Sequence, residues 1–325
     1  MENLVKPEVF MKIRILMYCL IPVIIITFSN NAVATSPKRE STYVLPISLN
    51  GSLQNPAWSP DGKSIVFTRF QNGYNKGPAD LAIYDLEKKT ARIIVSDGND
   101  NINLPGSSWN LVSNQIIFSS SRPPHDEIYA MNSEGTSGSE IKITSRKEWV
   151  AYEPSFSPDG IYIIFETHEL DNEKGGIITK FKTNNPGSYR HLTPVTQDCR
   201  QPNWSPCGRY ILYQTFNNNQ WDIWVMSPDG KRPKQITEGP GDKTDASFSP
   251  DGEYIVYSAD GPEIEYANLF AVPVTGGIPQ QISDTEIYEG APSWSPDGKL
   301  IAYESSTGDP EDTRGTKIWV TNINK

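Results

Sequence analysis

One pentapeptide, Trp-Ser-Pro-Asp-Gly, returns along this chain at a spacing that constrains the fold more than any other feature. It is complete at residues 58–62 and 294–298, and Phe replaces Trp at 156–160 and 248–252. Residues 204–208 read Trp-Ser-Pro-Cys-Gly, and Trp109 keeps the aromatic alone. The six aromatics lie 51, 47, 48, 44 and 46 residues apart. Repeats of 40 to 50 residues with strand chemistry indicate a propeller or a solenoid. Six copies in one chain predict an all-β, six-bladed β-propeller with four antiparallel strands per blade.

Each copy carries the signals of one blade. Small residues flank the aromatic, as at Ala57 and Ser59 or Ser293 and Ser295, and suit the narrow side of a wedge. Ser-Pro-Asp-Gly has turn chemistry: Ser at the first position, Pro presetting φ at the second, Gly at the fourth. A second strand follows, with Ile seven and an aromatic nine residues after the motif aromatic: Ile65/Phe67, Ile116/Phe118, Ile163/Phe165, Ile211/Tyr213, Ile255/Tyr257 and Ile301/Tyr303. The copy at Trp109 obeys this rule, so it is expected to keep its strands and change only its hairpin. Third strands carry pairs such as Ile83-Tyr84 and Ile223-Trp224, with Ile177-Ile178-Thr179 departing in blade three. Fourth strands end in an apolar residue followed by Ser or Thr, as at Ile143-Thr144, Leu192-Thr193, Ile236-Thr237 and Ile282-Ser283. The last copy stops without that strand. Residues 43–48, ending Ile47-Ser48, are expected to complete the sixth blade and close the ring, which removes the exposed sheet edges of an open array.

Residues 1–34 read as a secretory signal. Lys12 and Arg14 precede an apolar run over 15–28, and Ala32-Val33-Ala34 forms the exit, with Met11 a natural start. The run is shorter than the roughly 20 residues of a spanning helix, so cleavage and no membrane insertion are expected. A linker over 35–42 and the propeller over 43–325 complete the predicted organisation, in the periplasm or outside the cell. Cleavage removes Lys6, Lys12, Arg14, Glu2 and Glu8 and moves the net charge from −10 to −11. That balance argues against nucleic acid, where affinity is largely phosphate neutralisation. Cys199 and Cys207 bracket one strand, too far apart extended for a disulfide.

No cofactor, metal site or catalytic constellation is expected. The three histidines, His125, His168 and His191, are placed in separate blades at no metal-ligand spacing, and no Gly-x-Ser-x-Gly nucleophile elbow occurs. The motif Asp reads as a turn stabiliser. Binding is expected on the face where loops join second to third strands, because variable loops on a rigid scaffold carry function. Three of these loops are acidic: Glu166, Glu169, Asp171 and Glu173; Asp260, Glu263 and Glu265; Glu304, Asp309, Glu311 and Asp312. The segments leading into the first strands differ from blade to blade: Gln54, Tyr152, Glu153, Arg200, Gln201, Asp245. Tyr152, Glu153, Arg200, Gln201 and Asp245 are therefore the candidate binding residues at the tunnel mouth.

Residues 56–67, Pro-Ala-Trp-Ser-Pro-Asp-Gly-Lys-Ser-Ile-Val-Phe, resemble the repeat of the TolB-type β-propellers, Pro-x-Trp-Ser-Pro-Asp-Gly-x-x-Ile-x-Phe, and residues 292–303 do so again. The resemblance covers 43–325. It implies a six-bladed propeller, often exported and frequently protein-binding, with an envelope or periplasmic protein as partner. TolB proteins carry an α/β domain before the propeller, where this chain has its expected signal and linker, so the resemblance implies a free-standing propeller. Similar repeats gate the hydrolases of the prolyl-oligopeptidase type. They also build oligogalacturonate lyases, whose metal-binding histidine cluster is missing here. The alternative to a protein-binding module is a carbohydrate-binding or carbohydrate-active propeller using the tunnel mouth.

Overall fold

The computed structural model describes residues 37–103, 109–110, 112–136, 138–172, 175–262, 264–306 and 315–324. The expected signal over 1–34 lies outside them. Among the described residues every regular element is a β-strand. Blade one is built from Ser52–Trp58, Ser64–Phe70, Ala79–Asp85 and Thr90–Val95, paired in that order. Blade three (Trp149–Phe156, Tyr162–Glu169, Ile177–Lys182, Asn185–His191) follows the same antiparallel order. So do blade four (Asp198–Trp204, Ile211–Asn217, Gln220–Met226, Lys234–Gln235) and blade five (Lys243–Phe248, Tyr254–Gly261, Ile264–Pro273, Gln280–Gln281). Blade two departs at its innermost strand. Two short pieces, Ile102–Asn103 and Trp109–Asn110, pair with Gln115–Ser120, and Glu127–Asn132 and Ile141–Lys142 follow. Its altered hairpin is closed by Asn110, whose Oδ1 accepts the N–H groups of Val112 (2.9 Å) and Ser113 (3.0 Å).

The motif turn works as its chemistry predicts. In blade one the Gly62 N–H donates to the Ser59 carbonyl at 2.9 Å, with Gly62 at φ 70°. Asp61 Oδ1 accepts from the Ser59 hydroxyl (2.6 Å) and the Lys63 N–H (3.0 Å), and the Ser59 Oγ accepts from the Ser64 N–H (2.9 Å). The Ser59 hydrogen bond leads the effects that hold the Asp61 carboxyl below its ordinary value. Asp159, Asp251 and Asp297 accept from Ser157, Ser249 and Ser295 in the same way. Ser227-Pro228-Asp229-Gly230 makes this turn too, between third and fourth strands and without the aromatic. The tetrapeptide therefore sets the turn, and the aromatic does something else.

The apolar-Ser/Thr pairs at the end of the fourth strands also have a structural reason. The hydroxyls of Thr144, Thr193, Thr237 and Ser283 accept the N–H of Ile128, Ile178, Ile223 and Leu269, each at 2.9 Å. Three of them donate onward to a buried side chain: Thr144 to Glu127, Thr237 to Asp222 and Ser283 to Asn268. The apolar partner sends its own N–H to the same third-strand residue, as Ile236 does to the Ile223 carbonyl.

Packing is between blades rather than within them. Six apolar clusters each straddle one pair of neighbours, such as Val66, Leu81 and Ile83 of blade one against Ile116 and Phe118 of blade two. The strand that closes the ring is Lys38–Val44, antiparallel to Lys317–Asn324 on the outer edge of blade six. This corrects the expected closing strand, 43–48, and the expected linker, 35–42, which supplies most of it. The physical reason is a two-residue shift in the matching signal. Leu45 donates to the Ile318 carbonyl at 2.9 Å, the position held elsewhere by Ile143, Leu192, Ile236 and Ile282. Pro46 then stands where those blades have Ser or Thr, and it has no N–H to extend the ladder. Leu45 and Ile47 instead seal the junction of blades six and one beside Leu53, Phe67 and Val320. Arg39 locks the strand, donating to Thr42 Oγ1 (2.6 Å), the Tyr303 hydroxyl (2.7 Å) and Glu289 Oε1 (3.1 Å).

Two outcomes follow for stability. Deleting Lys38–Val44 leaves an open edge and should lower Tm by on the order of 10 °C in calorimetry; an unchanged Tm would refute closure by this strand. Thr237→Val keeps the shape but leaves the Ile223 N–H without its acceptor, which should cost about 1–3 kcal/mol in denaturant unfolding.

Candidate functional site

The first strands face the central tunnel, and each is interrupted at the same place. Three residues before the motif aromatic, the backbone is left-handed: Asn55 (φ 51°), Glu153 (46°), Gln201 (50°), Asp245 (54°) and Ala291 (47°). The pairing of first to second strand shifts across each of them, for example between Tyr152 and Ser155 and between Arg200 and Asn203. A non-glycine residue held left-handed costs roughly 1 kcal/mol or more, so something must hold it. Side chains of neighbouring blades do part of this. The Asn55 N–H donates to Glu304 Oε2 (2.8 Å) and the Asp245 N–H to Gln201 Oε1 (3.0 Å). The bulge breaks strand alternation, so that consecutive residues, Tyr152 with Glu153 and Arg200 with Gln201, line the same cavity.

A second set of residues lies behind the first. Ten residues after the motif aromatic, the second strands carry Thr68, Ser119, Glu166, Gln214, Ser258 and Glu304, all buried. Glu166 and Glu304, read from sequence as part of acidic loops, are strand residues with 4% and 3% exposure. Glu169 and Asp171 are exposed at the loop end, and Glu173, Glu263, Asp309, Glu311 and Asp312 lie outside the described residues. Gln54, another lead-in residue, is buried and donates to Ser52.

Tyr152, Glu153, Glu166, Arg200, Gln201, Gln214 and Trp221, with Asn103 and His168, line a cavity of about 560 Å³ at the loop-bearing mouth. Four of the five predicted residues thus meet in one place, and Asp245 joins through Gln201. The Gln201 amide donates to Asp245 Oδ1 at 2.9 Å and to Glu153 Oε1 at 3.4 Å. Arg200 is held by Asp198 through two hydrogen bonds of 2.8 and 3.1 Å, lies 3.8 Å from Glu166 Oε1, and covers Trp221 at 5.4 Å. The Tyr152 hydroxyl donates to Asp126 (3.1 Å), and its ring stacks on His168 at 5.5 Å. Two acceptors stay unsatisfied: Glu153 Oε2 and Gln214 Oε1 are buried with no hydrogen-bond partner.

These carboxyls share a low-dielectric space. Burial, then the Asp245 charge, pushes Glu153 up to about 7. Burial, then Glu153, holds Glu166 well above its ordinary value, and burial raises Asp245. Across the tunnel, burial raises Glu304 to about 7. Glu304 Oε1 accepts from Tyr288 (3.0 Å), whose ring meets Tyr74 edge-on at 5.8 Å. A β-carbon at residue 290 would fall 1.9 Å from the Tyr288 hydroxyl, so only glycine fits there. Tyr74 reaches this cluster from the second-to-third-strand loop of blade one.

The other mouth is apolar. Trp58, Trp109, Phe156, Trp204, Phe248 and Trp294 converge there with the motif prolines around a space of about 330 Å³. This is the role of the aromatic: one ring from each blade caps the tunnel axis. His168 and His191 both belong to blade three, which corrects the expectation of one histidine per blade. Among the described residues no group of three His, Cys, Asp or Glu is placed to hold a metal ion. Cys199 is buried, Cys207 is exposed, and both are free.

Position three before the aromatic was legible as variable. Position ten after it was not recognised, although its signal is simple: all six copies are polar directly after three apolar residues, as in Ile65-Val66-Phe67-Thr68.

Comparison with known proteins agrees with this architecture. The chain is 29% identical over 183 residues to the Tol-Pal system protein TolB of Francisella tularensis subsp. mediasiatica, covering 55% of this chain and 39% of that protein. It spans about a third to two fifths of the length of the curated TolB relatives it matches. Its fold matches TolB from Acinetobacter baumannii with a TM-score of 0.61 at 19% identity, over 85% of this chain and 64% of that one. It matches an oligogalacturonate lyase from Vibrio parahaemolyticus with a TM-score of 0.57 at 12% identity, over 89% and 97%. The family profile of the TolB beta propeller domain matches residues 38–230 and 200–318, nearly the whole ring, and the chain belongs to that family.

Proposed function

We propose that this protein is an exported binding module of the cell envelope, which holds a protein or peptide at the loop-bearing mouth of its tunnel and performs no catalysis. The observation that carries this reading is the cavity at that mouth, lined by Glu153 and Gln214, each of which has a buried acceptor atom without a partner. The secretory pattern of residues 1–34 and the kinship with a Tol-Pal system protein support an envelope setting. Exposed Glu169 and Asp171 add acidic contacts at the same end. The carbohydrate reading would use the faces of Tyr152 and Trp221, but His168 stacks on the first and Arg200 covers the second. That occupancy favours the peptide reading.

Affinity capture from an envelope extract, with tagged 35–325 beside Glu169→Lys/Asp171→Lys, tests it. The wild type should retain a partner that the variant binds roughly tenfold less, since rim charges set encounter and specificity. A partner held equally by both would exclude these loops, and empty capture from both would favour the glycan reading.

The tunnel carboxyls also predict a pH dependence. Glu153 and Glu304 titrate near 7 when folded, against an ordinary value of 4.5. The folded state therefore binds protons more tightly, and stability falls as pH rises from about 4.5 to about 7. The turn aspartates, with lowered values, lose their contribution only below this window. Tm should be higher at pH 5 than at pH 8, and Glu153→Gln should raise the pH 8 value and flatten the profile.

A further inference from the structure

The cavity between blades three and four has an unbalanced hydrogen-bond inventory. Several of its donors are engaged: the Tyr152 hydroxyl by Asp126, the Gln201 amide by Asp245 and Glu153, and two nitrogens of the Arg200 guanidinium by Asp198. Its acceptors are in surplus. Glu153 Oε2 has no partner, and neither has Gln214 Oε1, on a side chain only 6% exposed that lines the same space. An occupant that brings donors would satisfy both. A sugar hydroxyl or an amide adds acceptors of its own, whereas ammonium and guanidinium groups donate only.

Charge points the same way. Arg200 is matched by Asp198, and Lys243, on the strand that carries Asp245, is matched by Asp222 at 3.3 Å. That leaves three carboxyls, Glu153, Glu166 and Asp245, crowded around one cation, Arg200, which is already bonded to Asp198 and lies 3.8 Å from Glu166. A metal ion is a poor fit, since no three of these groups are arranged as ligands among the described residues. An organic cation can instead span acceptors several ångströms apart.

We propose that this cavity receives the guanidinium or ammonium group of a basic residue of the bound peptide, held by Glu153, Glu166 and the Gln214 carbonyl. This rests on the peptide-binding reading and names the side chain that enters the tunnel. Glu166 lies behind Glu153 and contacts Arg200, so an entering cation would share Glu166 with Arg200 while Asp198 keeps its two bonds. Charge-assisted hydrogen bonds in a dry site are the strong ones, and here they would also relieve like-charge crowding.

The test uses the mature protein at pH 8 with agmatine and N-acetyl-arginine amide as probes, read by calorimetric titration. N-acetyl-citrulline amide, which keeps the shape and loses the charge, is the control. Saturable binding of both cations is expected, weakened roughly tenfold or more in Glu153→Gln and in Glu166→Gln. Because Gln201 and Gln214 already occupy equivalent positions in blade four, both variants should fold, and Tm verifies this. Absence of cation binding to the folded wild type, or equal binding of the citrulline compound, would overturn the inference. So would cation binding that both variants retain in full. A protein partner captured through Glu169 and Asp171 by a propeller that ignores agmatine would leave the binding-module reading intact and refute only the cation pocket.

Discussion

The structure depends on one antiparallel pairing, between Lys38–Val44 and Lys317–Asn324. Each blade is a twisted sheet whose two faces are both apolar, so no blade can bury itself alone. Its core lies half in the previous neighbour and half in the next. In such a ring the last interface is worth as much as any other, and it exists only if the two ends of the chain meet. The solution here is compact: a backbone ladder on the outer edge, Arg39 tied to Glu289 and Tyr303 on the innermost and second strands, and Leu45 with Ile47 filling the junction. Secondary structure, core and tunnel are thus closed by a single short segment.

Rigidity from closure lets the tunnel wall depart from good sheet geometry. A left-handed residue in every described complete first strand disrupts pairing at the same level. In an isolated hairpin that would invite slippage. Here each strand is fixed from both sides, and the bulge turns two consecutive side chains toward the axis instead of one. The bulge residues are also cross-linked between blades, Asn55 to Glu304 and Asp245 to Gln201. The polar wall therefore belongs to the scaffold and is not an ornament on loops.

What could be read from the sequence was whatever repeats. The strands, the Ser-Pro-Asp-Gly turns and the ring itself recur with fixed local chemistry, and each copy corroborates the others. The closing strand was shifted because blade six breaks the local rule: Leu45-Pro46 replaces an apolar-Ser/Thr pair, while Ile47-Ser48 imitates it two residues later. The candidate residues Tyr152, Glu153, Arg200, Gln201 and Asp245 were picked out because they vary against a uniform scaffold, and the first four line one cavity. Glu166 and Glu304 were misplaced because charged residues near a strand end look like loop residues. The structure places both in second strands, behind the bulged first strands. That Tyr74 of blade one reaches Glu304 of blade six is likewise a consequence of ring closure, which no local pattern carries.

The second-strand position behind the bulge separates scaffold from function. Blades one, two and five place Thr68, Ser119 and Ser258 there, small groups that are hydrogen-bonded: Thr68 to Asn103 of the next blade, Ser119 to the Asn103 carbonyl, Ser258 to the Glu289 carbonyl of the next blade. Blades three, four and six place Glu166, Gln214 and Glu304 at the same geometric position. Ser or Thr would serve the fold there, and a buried unsatisfied polar group costs about 1–3 kcal/mol. The larger groups are thus a local violation of a rule that the same chain obeys elsewhere, and such violations concentrate where a protein does something besides fold. Glu304 is partly satisfied by Tyr74, Tyr288 and Asn55. Gln214 Oε1 and the neighbouring Glu153 Oε2 have no partner. The asymmetry points the tunnel's unmet chemistry toward blades three and four, the side on which the cavity is open.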